Sequence, residues 1–190
     1  MQVSIAAYER SHPIQVTTIG LDLAKNVFQV HGITRDEEVA FNKPLRRAQV
    51  LTFFGKLELC LIGMESCSSA HHWARELSAM GQEVRLIPPM YVKPYVKRGK
   101  SDAIDAEAIC EAVTRPTMRF VAIKTVDQQA LLSIHRARDL LVRQRTQLIN
   151  GLQGILAEFG IYIARGFARV IGFAEDILAG KVLDLPDIAK

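Results

Sequence analysis

Four carboxylates stand where chemistry could be done. Asp22 closes the β-rich stretch Val16-Thr17-Thr18-Ile19-Gly20-Leu21. Glu65 closes the apolar run Leu59-Cys60-Leu61-Ile62-Gly63-Met64, a pattern that suits a strand buried on both faces. Asp102 and Asp105 follow Ser101 at the start of a helical stretch, and their spacing of three puts them on one face about a turn apart. If the first and fourth strands lie side by side in a mixed sheet, their terminal acids converge, and a helix across that edge adds two more. Four acids at one point repel one another unless cations hold them. Hard oxygen ligands suit Mg²⁺. Two such ions ~3.5–4 Å apart stabilise the attacking and leaving oxygens of phosphodiester cleavage.

Each acid also has a plainer reading. Asp22 alone reads first as a turn residue. Asp102 can cap its helix, with Asp105 favoured in the first turn by the helix dipole. Glu65 resists this treatment, because an unpaired acid ending a buried strand is costly. Taken together, in this order, the acids point to a metal site.

The elements that must position them read as β-β-β-α-β-α-β-α. Val16 to Asp22, Val27 to Gly32 and Val39 to Asn42 form an antiparallel meander, turned at Asp36-Glu37-Glu38. Pro44 opens a helix to about Lys56. The Leu59 to Met64 strand follows, then a helix from Ser68 or Ser69 to Met80, stopped by Gly81. Val84 to Ile87 is a strand closed by Pro88-Pro89, and the Ser101 helix runs to about Val113. A short strand is expected near Phe120 to Ile123. The fold class is α/β, a mixed sheet with helices on its faces.

From Val126 to Phe159 the pattern becomes one long helix. Ile134, Leu141, Leu148 and Ile155 repeat every seven residues, as in a coiled coil. The expected organisation is a floppy 1–15, a catalytic domain over 16–124, a helical region over 125–160, and the start of a further region over 161–190.

Positive charge gathers in two places. Lys93, Lys97, Arg98 and Lys100 lie with Tyr91 and Tyr95 just before Asp102, a combination suited to a phosphate backbone or equally to a solvated loop. Arg136, Arg138, Arg143 and Arg145 share the long helix with Asp139 as the one acid among them. They suit DNA or RNA phosphates, or acids on a partner helix.

The remaining candidates rank lower. His71 and His72 are adjacent and diverge by about 100° on a helix, which argues against a shared metal. Trp73 reads as a core anchor. Ser66, Ser68 and Ser69 have no G-x-S-x-G setting. Cys60, Cys67 and Cys110 are odd in number without C-x-x-C spacing, which argues against a disulfide framework or thiolate zinc and for a reducing cytoplasm. The 190 residues are 49% hydrophobic and 23% charged, the composition of a globular chain rather than a disordered one. No run of ~18 apolar residues supports a membrane span. A net charge of +4 permits a nucleic-acid partner without requiring one.

Several segments together resemble a known family. They are Ile19-Gly20-Leu21-Asp22-Leu23-Ala24-Lys25, Met64-Glu65-Ser66-Cys67, Ala70-His71-His72-Trp73-Ala74-Arg75, Val92 to Lys97, Lys100 to Ile109, Arg143 to Asn150 and Ala157 to Gly160. They resemble the DEDD transposases of the insertion sequence 110 family, over about Thr17 to Gly160. The resemblance implies an RNase H-like, RuvC-type catalytic domain followed by a helical extension. It implies that Asp22, Glu65, Asp102 and Asp105 are the catalytic acids and ligands of Mg²⁺ or Mn²⁺, two ions in all. It further implies DNA as substrate, a structured guide RNA, and a homo-oligomer, dimer or tetramer, built through the long helix in a bacterial cytoplasm. Family members are usually longer and carry a C-terminal serine domain. The chain therefore reads as the front part of a longer protein. Two alternatives stand beside the transposase: a non-catalytic nucleic-acid-binding or oligomerisation remnant, and a stand-alone RuvC-like junction nuclease.

Overall fold

The computed structural model describes residues 15–97, 99, 101–164, 166–181 and 186. They divide between two compact units, one ending at Thr125 and the other beginning at Val126.

The first unit is built on β1 (Val16–Asp22), β2 (Val27–Thr34), β3 (Val39–Arg46), β4 (Leu61–Glu65) and β5 (Glu83–Ile87). They form one sheet in the order β3-β2-β1-β4-β5. β2 runs antiparallel to β1 and β3, while β4 runs parallel to β1 and β5 parallel to β4. The sheet is mixed, as expected, with the first and fourth strands side by side and the second strand alone reversed. The helices of this unit are α1 (Val50–Phe54), α2 (Ala70–Ala79), α3 (Pro89–Val92) and α4 (Asp102–Val113).

The alternation of side chains along each strand separates two layers. Ile19 and Leu21 of β1, Phe28 and Val30 of β2, and Ile62 and Met64 of β4 pack with Val50 and Phe54 of α1 and with Trp73, Ala74 and Leu77 of α2. Trp73 meets Phe28 edge-on, with ring centroids 5.1 Å apart, as expected of an anchor. The opposite face packs against α4, whose Ala108, Ile109, Ala112 and Val113 cluster with Ile87 and Val92.

The third strand differs from the sequence expectation. Pro44 does not open a helix. It lies within β3, opposite Gln29 of β2. β3 is the sheet edge, where a residue without an N–H breaks no ladder hydrogen bond. The strand continues to Arg46 so that Leu45 can reach the core. A 3-10 turn at Arg47–Gln49 then leads into the short α1. The segment near Phe120 forms a single bridge, Val121 to Leu86, instead of a strand.

The second unit contains α5 (Val126–Glu158) and α6 (Phe167–Leu178). At 33 residues α5 spans about 50 Å. Ile134, Leu141, Leu148 and Ile155 are exposed along it, and Leu156 is its one buried residue. Among the described residues no helix is long and apolar enough to cross a membrane.

Candidate metal centre

Parallel pairing sets the first two acids. β1 and β4 are in register from Thr18–Leu61 to Leu21–Met64, so Asp22 and Glu65 are the next residues on neighbouring strands. Both point to the α4 side by the same alternation that points Gly20 and Gly63 there. Each strand reads glycine, one residue, acid.

The glycines bring the helix down onto the acids. A Cβ on Gly20 would lie 2.0 Å from the Ala106 carbonyl oxygen and 2.5 Å from the Cys110 amide nitrogen. A Cβ on Gly63 would lie 2.7 Å from the Val113 Cβ. Only bare backbone lets α4 lie this close to the sheet. The helix start is fixed from two directions. Ser101 is extended (φ −154, ψ 150), and its hydroxyl accepts the Ile104 N–H at 3.4 Å. Ser101 is therefore the cap, and Asp102 and Asp105 sit in the first turn, where the dipole favours them. From the sheet, Gln29 Nε2 donates to Asn42 Oδ1 at 2.6 Å, and Asn42 Nδ2 donates to the Ala103 carbonyl at 3.4 Å.

The result is that carboxylate oxygens of Asp22, Asp102 and Asp105 all lie within 4.8 Å of one another. Glu65 lies outside that trio but lines the same cleft, a cavity of about 380 Å³ bounded by Asp22, Glu65, Asp105, Pro89, Val92, Lys93 and Val96. The acids perturb one another. Burial pushes the Asp22 carboxyl from 3.8 up to about 6, with further pushes from Asp105, Asp102 and Glu65 and an opposing hydrogen bond from the Leu23 backbone. Glu65 is raised by burial and then by Asp105. Oxygen-only donors, crowded and reluctant to ionise together, fit a hard divalent cation, whose charge reverses the repulsion.

The basic residues divide. Lys93 lines the cleft itself. Lys97 instead pairs with Glu107 of α4. Arg98 and Lys100 lie outside the described residues. Arg136, Arg138, Arg143 and Arg145 are exposed along α5; Arg138 pairs with Asp139 at 3.8 Å, and Arg145 lies 5.3 Å from the centroid of the Phe167 ring in α6. His71 takes no part in the cleft: it is buried in α2, where its Nδ1 accepts the Lys124 N–H at 3.2 Å. Sequence reasoning passed over Gly20, Gly63, Gln29 and Asn42 as positioning residues. The repeated glycine-x-acid pattern was the available signal for the first two.

Comparison with known proteins places the chain. It is 53% identical over 174 residues to a probable family 20 transposase of Pseudomonas aeruginosa, covering 91% of this chain and 52% of that protein. It is 46% identical to the transposase for insertion sequence element IS1328 of Yersinia enterocolitica, covering 82% of this chain and 46% of the relative. It is 40% identical to the transposase for insertion sequence element IS1111A of Coxiella burnetii, covering 97% and 50%. The chain thus spans about half the length of the curated relatives it matches. Among solved structures, it is similar to Thermus thermophilus RuvC in complex with a Holliday junction substrate, at a TM-score of 0.41 and 12% identity, covering 56% of this chain and 99% of that one. Residues 19–161 match the transposase family of DEDD, IS110 type, and the chain belongs to that family.

Proposed function

We propose that the first unit is the catalytic domain of a metal-dependent DNA transposase, in which Asp22, Glu65, Asp102 and Asp105 hold two Mg²⁺ or Mn²⁺ ions for strand cleavage and exchange. The observation that carries this reading is the meeting of carboxylates from β1 and α4 within 4.8 Å, beside Glu65 of β4. When bound, the ions would supply Lewis-acid stabilisation of the attacking and leaving oxygens. The chain's own residues do the rest. The two strand ends fix Asp22 and Glu65 rigidly, and the capped α4 start brings Asp102 and Asp105 to them. Lys93 offers a cation to the phosphate entering the cleft. Burial and mutual repulsion raise the pKa of Asp22 to about 6 and raise that of Glu65, so protons compete with metal for these carboxylates and ligation tightens as pH rises.

In the same reading, Lys97, Arg98, Lys100, Arg136, Arg138, Arg143 and Arg145 contact DNA or a structured guide RNA. The exposed heptad face of α5 serves a homo-oligomer in the bacterial cytoplasm. The names of the relatives, a probable transposase and two transposases for insertion sequence elements, support the DNA substrate.

The test is cleavage of branched DNA across a Mg²⁺ or Mn²⁺ titration, with this chain and with a full-length relative carrying it. Metal-dependent cutting that vanishes in Asp22→Asn and Asp102→Asn, with folding retained, is expected. Unchanged cutting by either variant removes the site assignment. Binding by both proteins without metal-dependent cutting favours a nucleic-acid-binding role alone.

A further inference from the structure

A second groove, distinct from the acid cleft, lies on the far side of one short segment. Pro89, Val92, Lys93 and Val96 turn toward the acids. Between them, Tyr91, Pro94 and Tyr95 turn the other way and line a cavity of about 320 Å³, closed by Thr117, Met118 and Arg119. The segment is α3 followed by a 3-10 turn at Lys93–Tyr95, each with a proline in its first turn, so its backbone is held stiffly between the two openings.

The lining has a definite chemistry. Two phenol rings and a proline offer flat apolar faces. Tyr91 is 37% exposed, while Tyr95 is half-buried, packed on the α4 cluster, with the Arg115 guanidinium 5.8 Å from its ring centroid. Among the described residues no carboxylate lines the groove. Arg115 is engaged by Glu111, but among the described residues no acid pairs with Arg119 or Lys93. The groove is therefore aromatic inside and cationic at its edge, and it shares a wall with a cleft lined by acids and a lysine. A flat aromatic ring carried on an anionic chain matches both properties. Aromatic stacking accepts any base, and the phosphates on either side of it meet Arg119 and Lys93.

We propose that the Tyr91–Tyr95 groove is a stacking subsite for an unpaired nucleobase of the strand whose phosphate enters the acid cleft. This rests on the proposed nuclease reading of that cleft. It adds that the enzyme holds a nucleotide taken out of its duplex next to the reacting phosphate. The protein would therefore prefer branched, nicked or single-stranded substrates over intact duplex. Tyr91 is the principal platform, because Tyr95 is already committed to the core on one side.

The experiment measures binding of a short single strand and of a branched duplex, each with one 2-aminopurine at the unpaired position, in Ca²⁺. Stacking on Tyr91 is expected to quench the 2-aminopurine signal. Tyr91→Ala is expected to weaken binding roughly 5- to 100-fold, the loss of one stacked base. Tyr91→Phe should bind like the wild type. Replacing the unpaired nucleotide by an abasic one should weaken the wild type by the same factor and leave Tyr91→Ala unaffected. Equal binding of abasic and intact strands by the wild type would overturn the proposal. Asp22→Asn separates the two readings. If it loses its response to metal but keeps its dependence on the base, the groove stands. If Asp22→Asn loses the metal response that the wild type shows while Tyr91→Ala has no effect on binding, the groove alone falls.

Discussion

Replacing Asp22 by Asn removes a charge that the folded protein is built to dislike. The unfolded chain releases this proton near pH 3.8, whereas the folded chain holds it up to about pH 6. Below both values the carboxyl is protonated in either state and contributes nothing. As pH rises from 3.8 to about 6 the unfolded state gives up its proton first, so folding stability is lost, and above about 6 the loss is complete. The shift corresponds to ~3 kcal/mol at most. Water still reaches this half-buried group, and screening brings the figure nearer ~1–2 kcal/mol. Asp22→Asn keeps the shape and removes the charge. In metal-free buffer at pH 8 it is expected to be ~1–2 kcal/mol more stable than the wild type, roughly 2–8 °C in Tm. At pH 3.5 the two should coincide. Adding Mg²⁺ at pH 8 inverts the order: the wild type gains by mass action, ~2.7 kcal/mol at a hundred times Kd, and the variant gains little. Thermal and urea unfolding at both pH values, with and without Mg²⁺, check all of this. A metal-free Asp22→Asn less stable than the wild type at pH 8, or stabilised equally by Mg²⁺, refutes the reasoning.

Other perturbations follow from the same geometry. Gly20→Ala sets a Cβ against the Ala106 carbonyl, so α4 must lift; a loss of ~1–3 kcal/mol is expected, together with loss of Mg²⁺-dependent stabilisation, measured by the same melts. Phe28→Ala opens the core beneath Trp73 and should cost ~3–5 kcal/mol in urea unfolding. Burial pushes the Cys60 thiol up to about 11 and Cys110 up to about 12, so at pH 8 a thiol reagent should label half-buried Cys67 first and the other two only on unfolding, as counted by mass spectrometry. Lys93→Ala should lower the slope of log binding constant against log salt by about 1, whereas Lys97→Ala, which removes a cation already paired with Glu107, should lower it less.

Much of the sheet was legible because period-two alternation and turn chemistry are local. β1, β2, β4, β5 and the start of α4 at Ser101 fall close to where the sequence put them, although Ser101 and not Asp102 is the cap. Local signals failed where tertiary context decided. Pro44 looks like a helix start, yet an edge strand accepts it and the core claims Leu45. The basic segment read as a loop, but its prolines begin helical turns that divide the acid cleft from the aromatic groove. The convergence of Asp22, Asp102 and Asp105 was legible as a pattern of strand ends and one helix face. The close approach that makes it possible was not, because a glycine announces bare backbone without naming what will lie against it. Nor did spacing reveal that Glu107 of α4 would engage Lys97.

The most direct test of the metal centre is diffraction from crystals soaked in Mn²⁺, using its anomalous signal. Density between Asp22, Asp102 and Asp105, with Glu65 beside it, is expected, and it should disappear in Asp22→Asn. A cleft that stays free of Mn²⁺ at millimolar concentration, with the acids in the positions described above, would contradict the central claim.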